Sequence, residues 1–426
     1  MTTIEEKFKL PKMYRECSLN IWSEFHKMIN TYNALDLTMG CPDFSPSERV
    51  TGALEMVAKP EIQQNYNPLG QTKLLEVLAE LYSKLLKRKI YPEKELITMS
   101  TGCQSLHVII MTFVEKNDEV IIIEPYFDFY ETLVSLAGGK CRFVPLRLCR
   151  NYAEKENVCT SYWSLDNEEL QSAFNKNTKL FILNTPNNPL GKVFTHKEIS
   201  AIADLCKKWN VVCLADEVYE FFVYPPHEHI RISTLPSMWE RTVTMICPGK
   251  TFGVTGWELG VAYSSEELVK KLQITHQNIV HTNNIPIQEA FAMLYKKEIE
   301  THKDKCILTS LTKNLEPKRD FMMKILKEAG MNPILPEGGF FIVANWSSLA
   351  SKFNFKSKVG KPKDIQFAEW MIRHIGLAVI PITSFYSEGH KNLGENYVRF
   401  CFYKKSETLQ KFANIIQKLS KTDLTE

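Results

Sequence analysis

The chain predicts an α/β protein: a mainly parallel sheet with helices on both faces, followed by a smaller α+β domain. Three observations carry that expectation. Short runs of Ile, Leu and Val recur with little polar alternation, the pattern of strands buried on both faces. Between them lie stretches with apolar residues at helical spacing. Past residue 310 this βαβ rhythm gives way to a long helical stretch and two isolated apolar runs.

In chain order, residues 71–89 carry leucines at helical spacing and end in a basic cluster suited to a helix C-terminus. Buried strands are expected at EVIIIEP (119–125), KLFILNTP (179–186), VVCLADEV (211–218) and TVTMIC (242–247), with a helix at 196–210. Later come a helix at 318–330, a strand in GGFFIVANW, and a helix around 364–375. A strand in NYVRFCFY and a last helix near 406–420 complete the chain. The lysine-rich stretch 353–364 reads as an exposed loop. The domain division expected is 48–315 for the larger unit, with 1–47 and 316–426 forming the smaller one.

Composition narrows the function. In 426 residues, 52 Lys and Arg face 49 Asp and Glu, so the net charge is only +3, and no basic stripe suggests nucleic acid. No run is long and apolar enough for a membrane span. The opening MTTIEEKFKLPKMYR lacks an apolar core and carries acids, so neither a secretory nor a mitochondrial leader is expected. The final KTDLTE matches no peroxisome or retention tag, and a cytoplasmic protein is expected. Eleven cysteines, none in C-x-x-C spacing and several within apolar runs, read as reduced buried thiols.

The chemistry falls in loops after strand ends, where ligands of such sheets sit. NTPNNPLGK (184–192) must turn at its prolines and asparagines. DEVY (216–219) places an acid at a strand end, and CPGKTFGVTGWELG (247–260) places Lys250 just after TVTMI. Gly249-Lys250-Thr251 is no phosphate loop, because its first glycine would fall at Thr244. No G-x-G-x-x-G follows a strand, and PPHEHI (225–230) lacks zinc-site spacing and reads as a surface turn. No metal site is expected.

Taken together, Asn188, Asp216, Tyr219, Lys250 and Arg399 occur in an order and spacing that resemble the fold-type I pyridoxal-phosphate (PLP) aminotransferases. More narrowly, the chain is similar to the kynurenine aminotransferase, glutamine transaminase K and cysteine-conjugate β-lyase group, insect members included. The likeness runs from about residue 7 to 420 and is densest in DEVIIIEPYFDFYE, LNTPNNPLGKVF, DEVYE, SMWERT, THQN and YVRFCFYKK.

The resemblance implies a large domain with a seven-stranded sheet and a role for each matched residue. Lys250 takes the cofactor aldehyde and later moves a proton at the substrate α-carbon. Asp216 keeps the pyridine nitrogen protonated, and Asn188 and Tyr219 donate to the ring 3-oxygen. Phe127 stacks on the ring, while Gly102, Cys103 and Cys247 surround the phosphate. Arg399 receives the substrate carboxylate as a planar bidentate cation, completed by Asn184 and the backbone of Gly40. Trp22 lines the side-chain pocket. Tyr66 and His281 reach in from a partner subunit, so a homodimer is part of the expectation.

The phosphate end departs from the family pattern. Cys247 stands where relatives carry serine and Glu258 where they carry a basic residue. Thr38-Met39-Gly40-Cys41-Pro42-Asp43 replaces the usual G-Q-G-F-P-D, Cys103 sits in the phosphate-binding turn, and NYNPLG (65–70) is one residue short. The function expected is transfer of an amino group from kynurenine, glutamine, or an aromatic or sulfur amino acid to a 2-oxo acid. β-Elimination from cysteine S-conjugates is an expected side activity. The competing reading is a non-catalytic, PLP-deficient dimer that binds an amino acid or a protein, motivated by Glu258 and Cys247. A decarboxylase is disfavoured, because Arg399 would hold the carboxylate that must leave.

Overall fold

The structure is a computed structural model that describes residues 7–10, 14, 21–58, 67–149, 158–302, 305–352 and 361–421. Its centre is a seven-stranded sheet. In chain order the strands are β1 (Leu96–Met99), β2 (Glu119–Glu124), β3 (Lys140–Pro145), β4 (Thr178–Asn184), β5 (Val212–Asp216), β6 (Thr242–Ile246) and β7 (Gly260–Tyr263). Across the sheet they lie β1-β7-β6-β5-β4-β2-β3. Only β7 runs against its neighbours, so the other six strands all end on one edge.

Every residue of β1, β2, β6 and β7 is buried, and β4 exposes only Lys179. The uninterrupted Ile-Leu-Val runs therefore report burial on both faces. Edge strand β3 exposes Lys140 and Arg142, half-buries Cys141 and Phe143 and buries only its last two residues, and Arg142 on it pairs with Glu119 of β2, a charge that blunts further strand pairing. The short β1 and β7 have no such run, and sequence reading missed both. The predicted helix at 196–210 is α1 (His196–Trp209), fixed by a Thr195–Glu198 capping box at one end and Asn210 in the left-handed conformation at the other.

A second sheet has the order β8-β9-β11-β10: β8 (Asn332–Pro333), β9 (Phe341–Asn345), β11 (Tyr397–Cys401) and β10 (Ile380–Pro381), all antiparallel. It packs beneath Ile307–Glu328, a helix that starts well before the predicted residue 318 and carries Pro317 within it. The helix expected around 364–375 divides into Lys363–Trp370 and a wider π turn, Met371–Ile375, ended by Gly376 at φ 79. Near the N-terminus, Leu35–Asp36 pairs in parallel with Leu377–Ala378, and Leu37 accepts a hydrogen bond from the Cys401 amide. Residues 38–41 are thereby delivered to the gap between the two sheets.

Among the described residues, ten cysteines are free and none forms a disulfide; Cys17 lies outside them. Most of the predicted loop at 353–364 also lies outside them. No helix among them is long and apolar enough to cross a membrane.

One expectation holds only in part. PPHEHI is only partly a surface turn: the His229 side chain is buried and its Nε2 lies 2.8 Å from Glu217. Glu217, Glu220 and His229 could together offer three metal-ligand atoms, but Arg231 pairs with both carboxylates and occupies that role itself.

Candidate active site

Five strands deliver side chains to one point because their carboxyl ends share an edge. β1 leads to the helix α2 (Gly102–Phe113), β2 to Phe127, β4 to Asn184 and Asn188, β5 to Asp216 and Tyr219, and β6 to Lys250. Neighbouring register sets Asn184 beside Asp216 and Asp216 beside Met245. Arg399 arrives from the other sheet, on β11 opposite Val343 and Ile380. Trp22 comes from the helix Ile21–Tyr32 and Gly40 from the loop that precedes residue 48.

These residues line a single cavity of about 570 Å³. Trp22, Gly40, Gly102, Cys103, Phe127, Asn184, Asn188, Asp216, Tyr219, Cys247, Lys250, Glu258 and Arg399 all face it. Thirteen residues singled out in the sequence thus meet in one place. Two others do not. Tyr66 lies outside the described residues, and His281 is exposed, at φ 72, and absent from the cavity wall.

Midway along the cavity, Asp216 is buried at the end of β5. It accepts from the Tyr130 hydroxyl and, at 3.4 Å, from the Val218 amide. Burial pushes its carboxyl up to about 6 despite those donors. A carboxylate held in that state favours a cation beside it, which is what a protonated pyridine nitrogen provides. Tyr219 is buried among Phe222, Phe340 and Phe341, and burial raises its hydroxyl. Lys250 Nζ donates to the carbonyl of Gly40 at 3.1 Å.

A relay of amides runs toward Arg399. Asn184 Nδ2 donates to the Asp216 carbonyl at 3.0 Å, and Asn184 Oδ1 accepts from the Asn188 amide at 2.7 Å. Asn188 Oδ1 accepts from Arg399 Nη1 at 2.7 Å, which leaves the Asn188 NH₂ group free to act as a donor in the cavity.

Arg399 is 2% exposed, and no carboxylate pairs with it among the described residues. Its Nη2 donates to the Thr38 carbonyl at 2.8 Å, its Nε is buried without a partner, and burial lowers the group to about 10. The guanidinium lies 4.0 Å from the Phe341 ring, 5.1 Å from Phe385 and 5.4 Å from Trp22. A buried cation held by aromatic faces and neutral acceptors is poised for an anionic ligand.

The other end differs. Thr101 caps α2 by accepting from the Gln104 amide, so the cap does not use the amides of Gly102 and Cys103. A β-carbon at Gly102 would sit 2.7 Å from Cys247 Sγ, so only glycine lets the thiol approach this helix N-terminus. The two amides and the Thr255 hydroxyl can receive a phosphate. Glu258 faces the same space, at φ 44 in the left-handed region, and burial raises its carboxyl. The cavity therefore fits the ring and carboxylate parts of PLP chemistry closely, and accepts the phosphate without a dedicated cation among the described residues.

Sequence reading missed four contributors. Tyr130 binds Asp216; Asp128 accepts from the Trp22 indole at 2.7 Å; Phe341 and Phe385 flank Arg399. Tyr130 and Asp128 fall inside DEVIIIEPYFDFYE, where proximity to Phe127 was the available signal.

Strand order and site together define a transferase of fold type I. A profile of the aminotransferase class I and II family matches residues 32–416. Human kynurenine–oxoglutarate transaminase 3 is 40% identical over 413 residues, covering 96% of this chain and 90% of that protein. Human kynurenine–oxoglutarate transaminase 1 is 36% identical over 395 residues, covering 92% and 93%. Among solved structures, Bna3p, a putative kynurenine aminotransferase from Saccharomyces cerevisiae, superposes with a TM-score of 0.89 at 26% identity, covering 97% of this chain and 99% of that one. The chain belongs to the class I and II aminotransferases, which depend on PLP and move amino groups between amino acids and 2-oxo acids.

Proposed function

We propose that this aminotransferase takes its amino group from kynurenine, glutamine, or another neutral aromatic or sulfur amino acid and passes it to a 2-oxo acid. The names of the relatives support that donor class. The observation that carries it is the surroundings of Arg399. One buried cation is available for an α-carboxylate, and Trp22, Phe341 and Phe385 around it offer apolar surface; apart from Lys250, no further basic side chain among the described residues lines the cavity for an acidic substrate group.

Bound here, PLP supplies an aldehyde for the amine and a ring that stabilises the electron pair left when the α-carbon loses its proton. The protein's own residues do the rest. Arg399 orients the substrate through its carboxylate, and Asn188, fixed by Arg399, offers its NH₂ to the ring oxygen together with the Tyr219 hydroxyl. Asp216 holds a proton on the ring nitrogen through its negative charge. Phe127 covers the ring face. Lys250 carries the proton from the α-carbon, as a general base positioned by its strand-end turn.

With a cysteine S-conjugate, the same proton removal by Lys250 lets the β-substituent leave, so β-elimination is proposed as a side activity. We further place the enzyme in the cytoplasm as a homodimer. Tyr66 and His281 of one subunit would face the cavity of the other, in keeping with His281 lying outside its own cavity. The larger unit is taken as 48–315 and the smaller as 1–47 with 316–426.

Glu258 and Cys247 bear on how tightly PLP is held. Family membership and the assembled cavity favour the enzyme over a non-catalytic dimer. Steady-state transfer to 2-oxoglutarate tests the donor class. Kynurenine, glutamine and phenylalanine are expected to exceed aspartate by at least tenfold in kcat/KM; a faster reaction with aspartate overturns the assignment.

A further inference from the structure

The loop at 38–41 is held in an unusual way. Four successive carbonyls each accept from a cationic side chain. Thr38 accepts from Arg399 at 2.8 Å, Met39 from Lys404 at 3.3 Å, Gly40 from Lys250 at 3.1 Å, and Cys41 from Lys404 at 2.8 Å. Lys404 is 4% exposed, and no carboxylate pairs with it among the described residues. A buried ammonium without an ion pair is costly, so its placement asks for an explanation.

We propose that Lys404 is a positioning residue for recognition of the substrate α-carboxylate, acting through Gly40. This rests on the reading of Arg399 and Gly40 as the carboxylate subsite. In a trans peptide the carbonyl and the following N–H point in opposite directions. By drawing the Met39 carbonyl to itself, Lys404 turns the Gly40 N–H away, on a residue that lines the cavity with Arg399. Behind Gly40 there is no slack, since a β-carbon would lie 2.6 Å from Phe341 Cζ.

The arrangement also has a consequence in the working cycle. Lys250 releases the Gly40 carbonyl whenever its amine is engaged elsewhere. Lys404 grips the carbonyls on either side, Met39 and Cys41, and neither contact involves Lys250. The Gly40 N–H therefore keeps its aim when the lysine leaves.

The test compares two ligands of the PLP-loaded enzyme by calorimetry: 3-phenylpropanoate, which has the carboxylate, and 3-phenylpropanamide, its neutral counterpart. Lys404→Met is expected to weaken the acid by about tenfold and leave the amide unchanged, and Lys404→Arg to recover most of the loss. The cofactor absorption band should be unaltered. Equal weakening of acid and amide, or no weakening of either, overturns the proposal. If Lys404→Met fails to fold, Lys404→Gln, which keeps one donor without the charge, is read by the same ratio. Arg399→Leu is the control. If it leaves acid binding intact, the carboxylate-subsite reading itself fails; if it abolishes acid binding while the Lys404 variants do not discriminate, only the role of Lys404 fails.

Discussion

The two ends of the cavity are built on opposite principles. At the carboxylate end, a buried arginine has no ion pair and is supported by amides, carbonyls and three aromatic rings. Its charge is preserved for a ligand. At the phosphate end, the charged side chain facing the space is Glu258, and the thiols of Cys103 and Cys247 stand beside backbone amides. Burial raises Cys247 and pushes Cys103 up to about 11, so both thiols stay neutral and donate weakly. On the proposed assignment, the carboxylate is received chiefly by a charged side chain, whereas the phosphate is left chiefly to backbone amides.

That contrast breaks most visibly at Arg399. Arg399→Leu is expected to lower kcat/KM for amino acids by about 10² to 10³-fold, the order of loss for removing one partner of a buried charged hydrogen-bonded pair. PLP loading should stay within a few fold of wild type. An equal collapse in loading would show that the two ends are not separable.

The next effect is on stability. Asp216 has a folded value near 6 against an ordinary value of 3.8. A carboxyl raised in the folded state destabilises it as pH climbs from about 4 through 6. The cost at pH 7 is about 3 kcal/mol for the cofactor-free protein, at 1.36 kcal/mol per unit. Asp216→Asn should raise the Tm of the cofactor-free protein at pH 7, with the gain vanishing below pH 4, while reducing transfer activity. Denaturation across pH reads this directly; a Tm gain that persists at pH 4 contradicts it.

Glu258→Lys sharpens the comparison from the other side. Opposite unit charges 4 Å apart attract by roughly 4 kcal/mol at an effective dielectric near 20, and solvent at this half-exposed site screens much of that. PLP affinity is expected to rise by about 10- to 100-fold, with KM for the amino donor unchanged. Equilibrium dialysis of cofactor gives the number. Cys247→Ser should add only about two- to fivefold, because it trades a weak donor for a better one; no gain would mean the thiol does not face the phosphate.

Much of the centre was legible in the sequence because strand ends carry it. Asp216 and Lys250 follow continuous apolar runs, and a parallel sheet puts such ends together. What escaped was set by crossings between distant segments. β1 and β7, four residues each, carry no periodic signal. Phe385 reaches Arg399 because β10, which leads into it, pairs with β11 across the second sheet, and His229 is held by Glu217, twelve residues earlier. Lys404 falls inside the stretch YVRFCFYKK, but nothing there marks it, because its partners are carbonyls 363 and 365 residues away.

The most direct measurement is an absorption titration of the purified protein with PLP, followed by borohydride reduction and peptide mapping. A long-wavelength band is predicted, fixed by reduction onto Lys250, lost in Lys250→Ala, and bleached in the unreduced protein when kynurenine is added. A protein that stays colourless at saturating PLP, or label on any other lysine, would contradict the assignment of this cavity.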